Sequence, residues 1–168
     1  MAKGAGDNRV STWRKAGTPL SDDLYFTGGG RQEYINLDQT HKNKVIEVKR
    51  RLQNEMFQKL KDVSTPQVID NGEVIEIRYT NKGIKHFCND AMINLSGKYF
   101  SESSMMNIDS IIAKSSYIPT SHSLIHPRKD GRDLWFKYID GDGRGVYFKI
   151  AWNRNNKIYE LYSVTDIL

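Results

Sequence analysis

The stretch that decides the fold is residues 134–166, "LWFKYIDGDGRGVYFKIAWNRNNKIYELYSVTD". It contains three runs rich in aromatic and β-branched residues, "LWFKYID", "GVYFKIAW" and "KIYELYSVT", joined by the short links "GDGR" and "NRNN". Gly, Asp and Asn suit hairpin turns because they tolerate positive φ angles. The stretch therefore predicts three antiparallel strands that follow one another as a meander.

Upstream of the meander, helical spacing dominates. The apolar residues of a first helix recur three or four positions apart: Val45, Val48, Leu52, Met56 and Leu60. Asp38 or Thr40 can cap the start of this helix, and Pro66 is expected to stop it. A strand is predicted over residues 73–80, a second helix carries Lys85 and His86 beside its apolar face, and a third lies around residues 103–115.

This order predicts an α+β fold, with helices packed on one face of a C-terminal antiparallel sheet of about four strands. Residues 1–37 are rich in Gly, Asp, Ser, Thr and Arg, and we expect them to form an extended or flexible arm. Residues 38–168 are expected to form a single α+β domain.

The composition favours a polyanionic partner. The chain has 168 residues, a formal net charge of +5 and an isoelectric point near 9.2, so nucleic acid is the first candidate. Cys88 is the only cysteine, which excludes an internal disulfide. No apolar run is long enough for a membrane span, and the N-terminal residues lack the apolar core of a secretory signal. We expect the site of action to be cytoplasmic.

Three clusters upstream of the meander could carry chemistry. Lys85 and His86 are either a catalytic pair or two polar residues on a solvent-exposed helix face. The cluster formed by Lys49 and the two following arginines reads better as a solvated helix face than as a phosphate contact. The segment "SHSLIHPRKDGRD" offers the substrate-binding candidates His126, Arg128 and Lys129, although a surface loop without function is an equal alternative.

A zinc site in that segment is disfavoured. His122 and His126 lie four residues apart, a spacing that could chelate zinc on a helix. Pro119 and Pro127 argue against a helix there, and no third ligand is evident. We therefore predict no metal and no cofactor.

The meander offers aromatic residues interleaved with bases. Strand alternation places Trp135, Lys137 and Ile139 on one face, and Leu134, Phe136 and Tyr138 on the face toward the core. Trp135 and Lys149 are substrate-binding candidates, since unstacked RNA bases lie on aromatic rings and lysine binds phosphate. A solvated sheet face is the alternative. The hydroxyls of Ser163 and Thr165 on the last strand could reflect β propensity alone.

Taken in order, these features resemble a nuclease superfamily. "KH" at residues 85–86 begins a helix, a second helix ends at "YIP", a basic loop follows, and the runs "LWFKYID", "GVYFKIAW" and "YELYSVTD" come last. This pattern is similar to the barnase/EndoU/colicin/RelE-like nucleases, and more narrowly to versions in phage head-associated proteins, polyvalent proteins and bacterial toxin tips. The resemblance covers residues 73–168.

The resemblance implies a metal-independent endoribonuclease. Its RNA substrate, with tRNA as one candidate, would be cleaved by attack of the 2′-hydroxyl group to give a 2′,3′-cyclic phosphate. The residues that match the family's catalytic positions are His86 as general base, Lys85 as its basic neighbour, Lys137, Ser163 and Thr165, with Tyr162 nearby. The general acid stays open among His122, His126 and Tyr162. A neutralising immunity or antitoxin protein is an implied partner.

A different class of function fits the same charge and aromatic content. A non-catalytic nucleic-acid-binding domain, or a structural domain associated with a phage head, would carry the same basic surplus and the same aromatic strands. Such a protein would bind RNA without cleaving it.

Overall fold

A computed structural model of the chain describes residues 30–95, 99–119, 133–141 and 143–166. Its helices are α1 (Gly30–Asn36), α2 (Gln39–Leu60), α3 (Asn81–Asn89), α4 (Glu102–Met106) and α5 (Ile108–Lys114). Its strands are β1 (Ser64–Val68), β2 (Val74–Arg78), β3 (Ser116–Ile118), β4 (Leu134–Ile139), β5 (Gly145–Asn153) and β6 (Ile158–Thr165). The predicted α+β class is confirmed, and the predicted C-terminal meander corresponds to β4, β5 and β6.

The prediction of about four antiparallel strands is wrong. The sheet has six strands in the order β1-β2-β6-β5-β4-β3, and it is mixed because β2 runs parallel to β6. Pro66, which the sequence suggested as a helix breaker, lies inside β1. β1 is an edge strand, where a residue without a backbone N–H is tolerated.

The long helix α2 begins where the sequence predicts. The side chain of Asp38 caps it by accepting a hydrogen bond from the backbone N–H of His41 at 2.8 Å. The five apolar residues that predict this helix are all buried. Within the predicted arm, Gly30–Asn36 forms the helix α1, whose Glu33 is buried. Residues 1–29 lie outside the described residues.

The core lies between the helices and one face of the sheet. Phe136, Phe148 and Val164 face inward from β4, β5 and β6, and Phe87 of α3 packs against Phe148. Of the faces predicted for β4, the core face is confirmed, since Leu134 and Phe136 are buried in the core cluster; on the other face Ile139 is exposed, but Trp135 is buried. No helix among the described residues combines the length and apolar character that crossing a bilayer requires.

Helix α3 packs beside β6 where the pairing between β2 and β6 ends. β2 pairs with β6 only at Ile77 and Arg78, and the chain then turns into α3. The Thr80 side chain caps α3 by accepting a hydrogen bond from the backbone N–H of Gly83 at 3.0 Å. A Cβ atom at Gly83 would collide with the carbonyl oxygen of Leu161. The helix therefore lies close against the edge of β6 and carries Lys85 and His86 along that edge.

Candidate active site

His86 lies on the outer side of α3, and its side chain is 45% exposed. Its imidazole stacks on the ring of Tyr162, with the ring centroids 4.2 Å apart and an interplanar angle of 21°. Nδ1 lies 3.1 Å from the carbonyl oxygen of Tyr162. That carbonyl lies beyond the part of β6 that pairs with β2, because the pairing stops at Glu160. The ring is therefore held at the edge of the sheet and is not enclosed in the core.

The neighbours of Nδ1 define the tautomer of His86. Besides the Tyr162 carbonyl, Nδ1 lies 3.3 Å from Oδ2 of Asp90. A carbonyl oxygen and a carboxylate oxygen can only accept hydrogen bonds, so Nδ1 must carry the hydrogen. In the neutral ring, Nε2 then keeps its lone pair. Among the described residues, no hydrogen-bond partner engages Nε2.

Asp90 is a site residue that the sequence analysis missed. Its Oδ2 accepts a hydrogen bond from Oγ of Ser163 at 2.6 Å, and its Oδ1 accepts one from Nδ2 of Asn94 at 2.8 Å. The carboxyl group is largely buried and begins the π-helical turn Asp90–Asn94 that continues α3. The spacing of four residues from His86 was the available signal, because such residues are neighbours on a helix surface.

A basic cleft of about 270 Å³ surrounds the exposed side of His86. Its lining consists of three lysines, an imidazole, an amide and a phenol: Lys49, Lys82, Lys85, His86, Asn89 and Tyr162. Three ammonium groups beside one imidazole favour an anion, and a phosphodiester is an anion of suitable size. This cleft is the candidate active site.

Lys49 reaches the cleft from α2 and was also missed by the sequence analysis. Its Nζ lies 3.4 Å from Oδ1 of Asn89. Burial lowers the pKa of the Lys49 ammonium, and the nearby positive charge of Lys85 lowers it further. A bound anion would relieve both effects. By contrast, Arg51 in the same basic cluster is paired with Glu102 at 2.8 Å, and this pairing raises the pKa of Arg51.

Lys149 joins the site from the sheet, through Tyr162. Its Nζ lies 5.7 Å from the centroid of the Tyr162 ring and 3.3 Å from Oδ2 of Asp133. Tyr162 thus contacts both His86 and Lys149. Trp135, opposite Lys149 in the β4–β5 register, is only 6% exposed, so it offers little ring surface for stacking on a base.

Two predicted catalytic residues lie on the sheet at a different position from Lys149 and Ser163. Lys137 and Thr165 are both opposite Tyr147 in the strand register. The Nζ of Lys137 lies 5.7 Å from the centroid of the Tyr147 ring. Neither residue lines the cleft around His86. The predicted loop residues His122, His126, Arg128 and Lys129 lie outside the described residues.

In the described part of the chain, His, Cys, Asp and Glu side chains do not gather in a group of three that could hold a metal ion. Burial raises the pKa of the Cys88 thiol to about 12, which makes this cysteine a poor nucleophile. Comparisons with protein-family models, curated proteins and solved structures find no match to this chain. The residues of the cleft themselves are therefore the basis for a functional proposal.

Proposed function

We propose that this chain is a metal-independent endoribonuclease that cleaves cytoplasmic RNA, with tRNA as the first substrate to test, by attack of the 2′-hydroxyl group on the adjacent phosphodiester. The observation that carries the proposal is the environment of His86. Its Nδ1 faces two acceptors, on Tyr162 and Asp90, so the lone pair of Nε2 is available in a cleft that favours an anion.

In this mechanism, Nε2 of His86 takes the proton of the 2′-hydroxyl group as its oxygen attacks phosphorus. The imidazolium that forms is stabilised by the carboxylate of Asp90. The ammonium groups of Lys82 and Lys85 stabilise the charge that develops on the phosphoryl oxygens. The phenol of Tyr162 gives its proton to the departing 5′-oxygen. The products are a 2′,3′-cyclic phosphate and a free 5′-hydroxyl group.

Incubation of the protein with total tRNA in the presence of EDTA tests this proposal. The expected result is a set of discrete fragments that end in cyclic phosphates. A His86→Ala variant should cleave about 10²–10⁴-fold more slowly, because it lacks the general base. Its circular dichroism should be unchanged, since the replaced side chain lies outside the hydrophobic core. Cleavage by His86→Ala at the parental rate would exclude His86 as the base.

A non-catalytic nucleic-acid-binding domain, of the kind that could be associated with a phage head, is the second candidate. The observation that favours it is the make-up of the cleft, whose described lining holds three lysines beside one imidazole and one phenol. Phosphate binding needs only the lysines, whereas acid–base cleavage needs both the imidazole and the phenol to transfer protons. A binding domain would retard tRNA in a gel and leave it intact, with or without EDTA.

A neutralising protein is a further partner in this proposal. The three lysines of the cleft would be complementary to an acidic surface, and burial of His86 beneath such a surface would block access of RNA.

A further inference from the structure

A second groove opens at the other end of β6, away from the His86 cleft. β2 and β6 are paired only at Ile77–Tyr159 and Arg78–Glu160, and they separate toward their N-terminal ends. The gap forms a groove of about 300 Å³. Its walls are the first residues of β2 together with Arg78, Trp152, Lys157 and Tyr159. The proposed chemistry uses none of these residues.

Arg78 lines this groove and has an unsatisfied donor. Its Nε is almost inaccessible to solvent and has no hydrogen-bond partner among the described residues. A buried N–H without an acceptor is unfavourable, and such groups are usually satisfied by protein, water or a ligand. The charge of the Arg78 guanidinium, which lines the groove, favours an anion there.

Lys157 is a second cationic residue that lines the groove, and its backbone conformation is strained. It is the only non-glycine residue in the described part of the chain with a positive φ, which is 56°. Lysine is unusual in this region of backbone space, which Gly and Asn adopt more readily. The turn between β5 and β6 contains two asparagines, Asn155 and Asn156, but the residue in this conformation is the lysine. Strain of this kind is concentrated at functional sites.

An aromatic pair completes the groove. The rings of Trp152 and Tyr159 lie 4.8 Å apart with an interplanar angle of 58°, and both residues are partly exposed. Aromatic surface beside two cations suits a nucleotide, because the base stacks on rings and the phosphate binds cations. The groove also holds two carboxylates: Glu76, which accepts a hydrogen bond from Ser64 at 2.5 Å, and Glu73, which can accept one from the base edge.

We propose that this groove binds one nucleotide of single-stranded RNA, with the base against Trp152 and Tyr159 and the phosphate on Arg78 and Lys157. Tyr159 and Tyr162 are three residues apart on β6, a distance of about 10 Å along the strand. The groove and the His86 cleft are therefore neighbouring sites along β6. The choice of RNA over another nucleotide ligand rests on the proposed function.

Binding of a 2′-O-methyl RNA decamer, measured by fluorescence anisotropy, tests the groove without cleavage, because this RNA lacks the 2′-hydroxyl nucleophile. Arg78→Gln should weaken binding by about tenfold or more, since a hydrogen bond to a charged group is lost. Lys157→Gly should also weaken binding while raising the melting temperature, because glycine relieves the positive φ. The matched control is Arg154→Gly, which removes a charge from the same turn outside the groove and should change affinity by less than about threefold.

Tryptophan fluorescence gives a second measurement. Binding of the decamer should quench Trp152, and Trp152→Phe should abolish that part of the quenching. Parental affinity in both Arg78→Gln and Lys157→Gly would overturn the proposed groove, even if tRNA is cleaved. Weakened binding in these variants, in a protein that leaves tRNA intact in EDTA, would support the groove and contradict the ribonuclease.

Discussion

Two neighbouring rows of side chains cross the same face of the sheet, and only one of them belongs to the candidate site. The first row is Trp135, Lys149 and Ser163; the second row is Lys137, Tyr147 and Thr165. Ser163 of the first row bonds Asp90, and Lys149 lies beside Tyr162, so this row is linked to His86. In the second row, the described contact of Lys137 is with Tyr147.

The difference between the rows comes from a β-bulge. Lys149 is opposite Ser163, whereas the next residue, Ile150, is opposite Leu161, which leaves Tyr162 as an extra residue in β6. A bulge disrupts the ladder locally and redirects side chains. Here it lies beside α3, where the extra residue stacks on His86. Strand alternation thus determines which face a residue occupies, and the bulge together with α3 determines which row takes part in the site.

The largest expected effect separates the two rows by activity. His86→Ala should lower the initial rate of tRNA cleavage by about 10²–10⁴-fold. Lys137→Ala should lower it by less than about tenfold, because a charge in the more distant row acts through screened, longer-range electrostatics. Initial rates in EDTA under single-turnover conditions measure both. Equal losses in the two variants would mean that the second row also belongs to the active site.

Gly83→Ala should cause the next largest effect, on stability. The new Cβ would meet the Leu161 backbone, which cannot rotate away as a side chain can. The expected loss is about 2 kcal/mol or more of unfolding free energy, even though alanine gains about 1 kcal/mol in helix propensity. Urea denaturation measures it. Lys82→Ala on the exposed side of α3 is the control, with an expected change within about 0.5 kcal/mol. If Gly83→Ala had the same urea midpoint as the parent, α3 would not be closely packed against β6.

The parts of the fold that follow from local pattern could be read from the sequence. Helical spacing identified the buried residues of α2, and alternation identified the two faces of β4. The parallel pairing of β2 with β6 could not be read, because it joins segments far apart in the chain. β1 was missed because Pro66 argues against a strand, and β3 because it is only three residues long.

The site shows the same division between local and distant information. Lys85, His86, Tyr162 and Ser163 were predicted, and the structure brings all four to the α3–β6 contact. Asp90 could have been found from its helical spacing to His86. Lys49 could not have been separated from the arginines that follow it, because only the packing of α2 on α3 directs one of the three into the cleft.

Asp90→Asn tests whether the Asp90 carboxylate, which connects Ser163 of the first row to His86, determines the tautomer of the His86 ring. The amide can still accept a hydrogen bond from Ser163, but it removes the negative charge beside Nδ1. We expect cleavage to slow by about tenfold to a hundredfold, which is less than the loss of the general base itself would cause. The ¹⁵N chemical shifts of the His86 ring should show a mixture of tautomers in place of Nδ1–H alone. Thr165→Val, in the second row, should leave these shifts unchanged. A parental spectrum for Asp90→Asn would assign the tautomer to the Tyr162 carbonyl alone.

The smallest expected effect concerns Lys49, and its sign follows from linkage. Burial and the charge of Lys85 lower the pKa of Lys49 below its usual 10.5, so the unfolded chain holds this proton at pH values where the folded chain has released it. Unfolding free energy therefore rises with pH in the window just below 10.5. Lys49→Met should abolish that rise and add less than about 1 kcal/mol of stability at neutral pH, while weakening RNA binding. Lys44→Met, on the same helix outside the cleft, should keep the rise. Parallel stability curves for the parent and Lys49→Met would mean that the Lys49 ammonium is fully hydrated, and the cleft would then be a weaker anion site than its three lysines suggest.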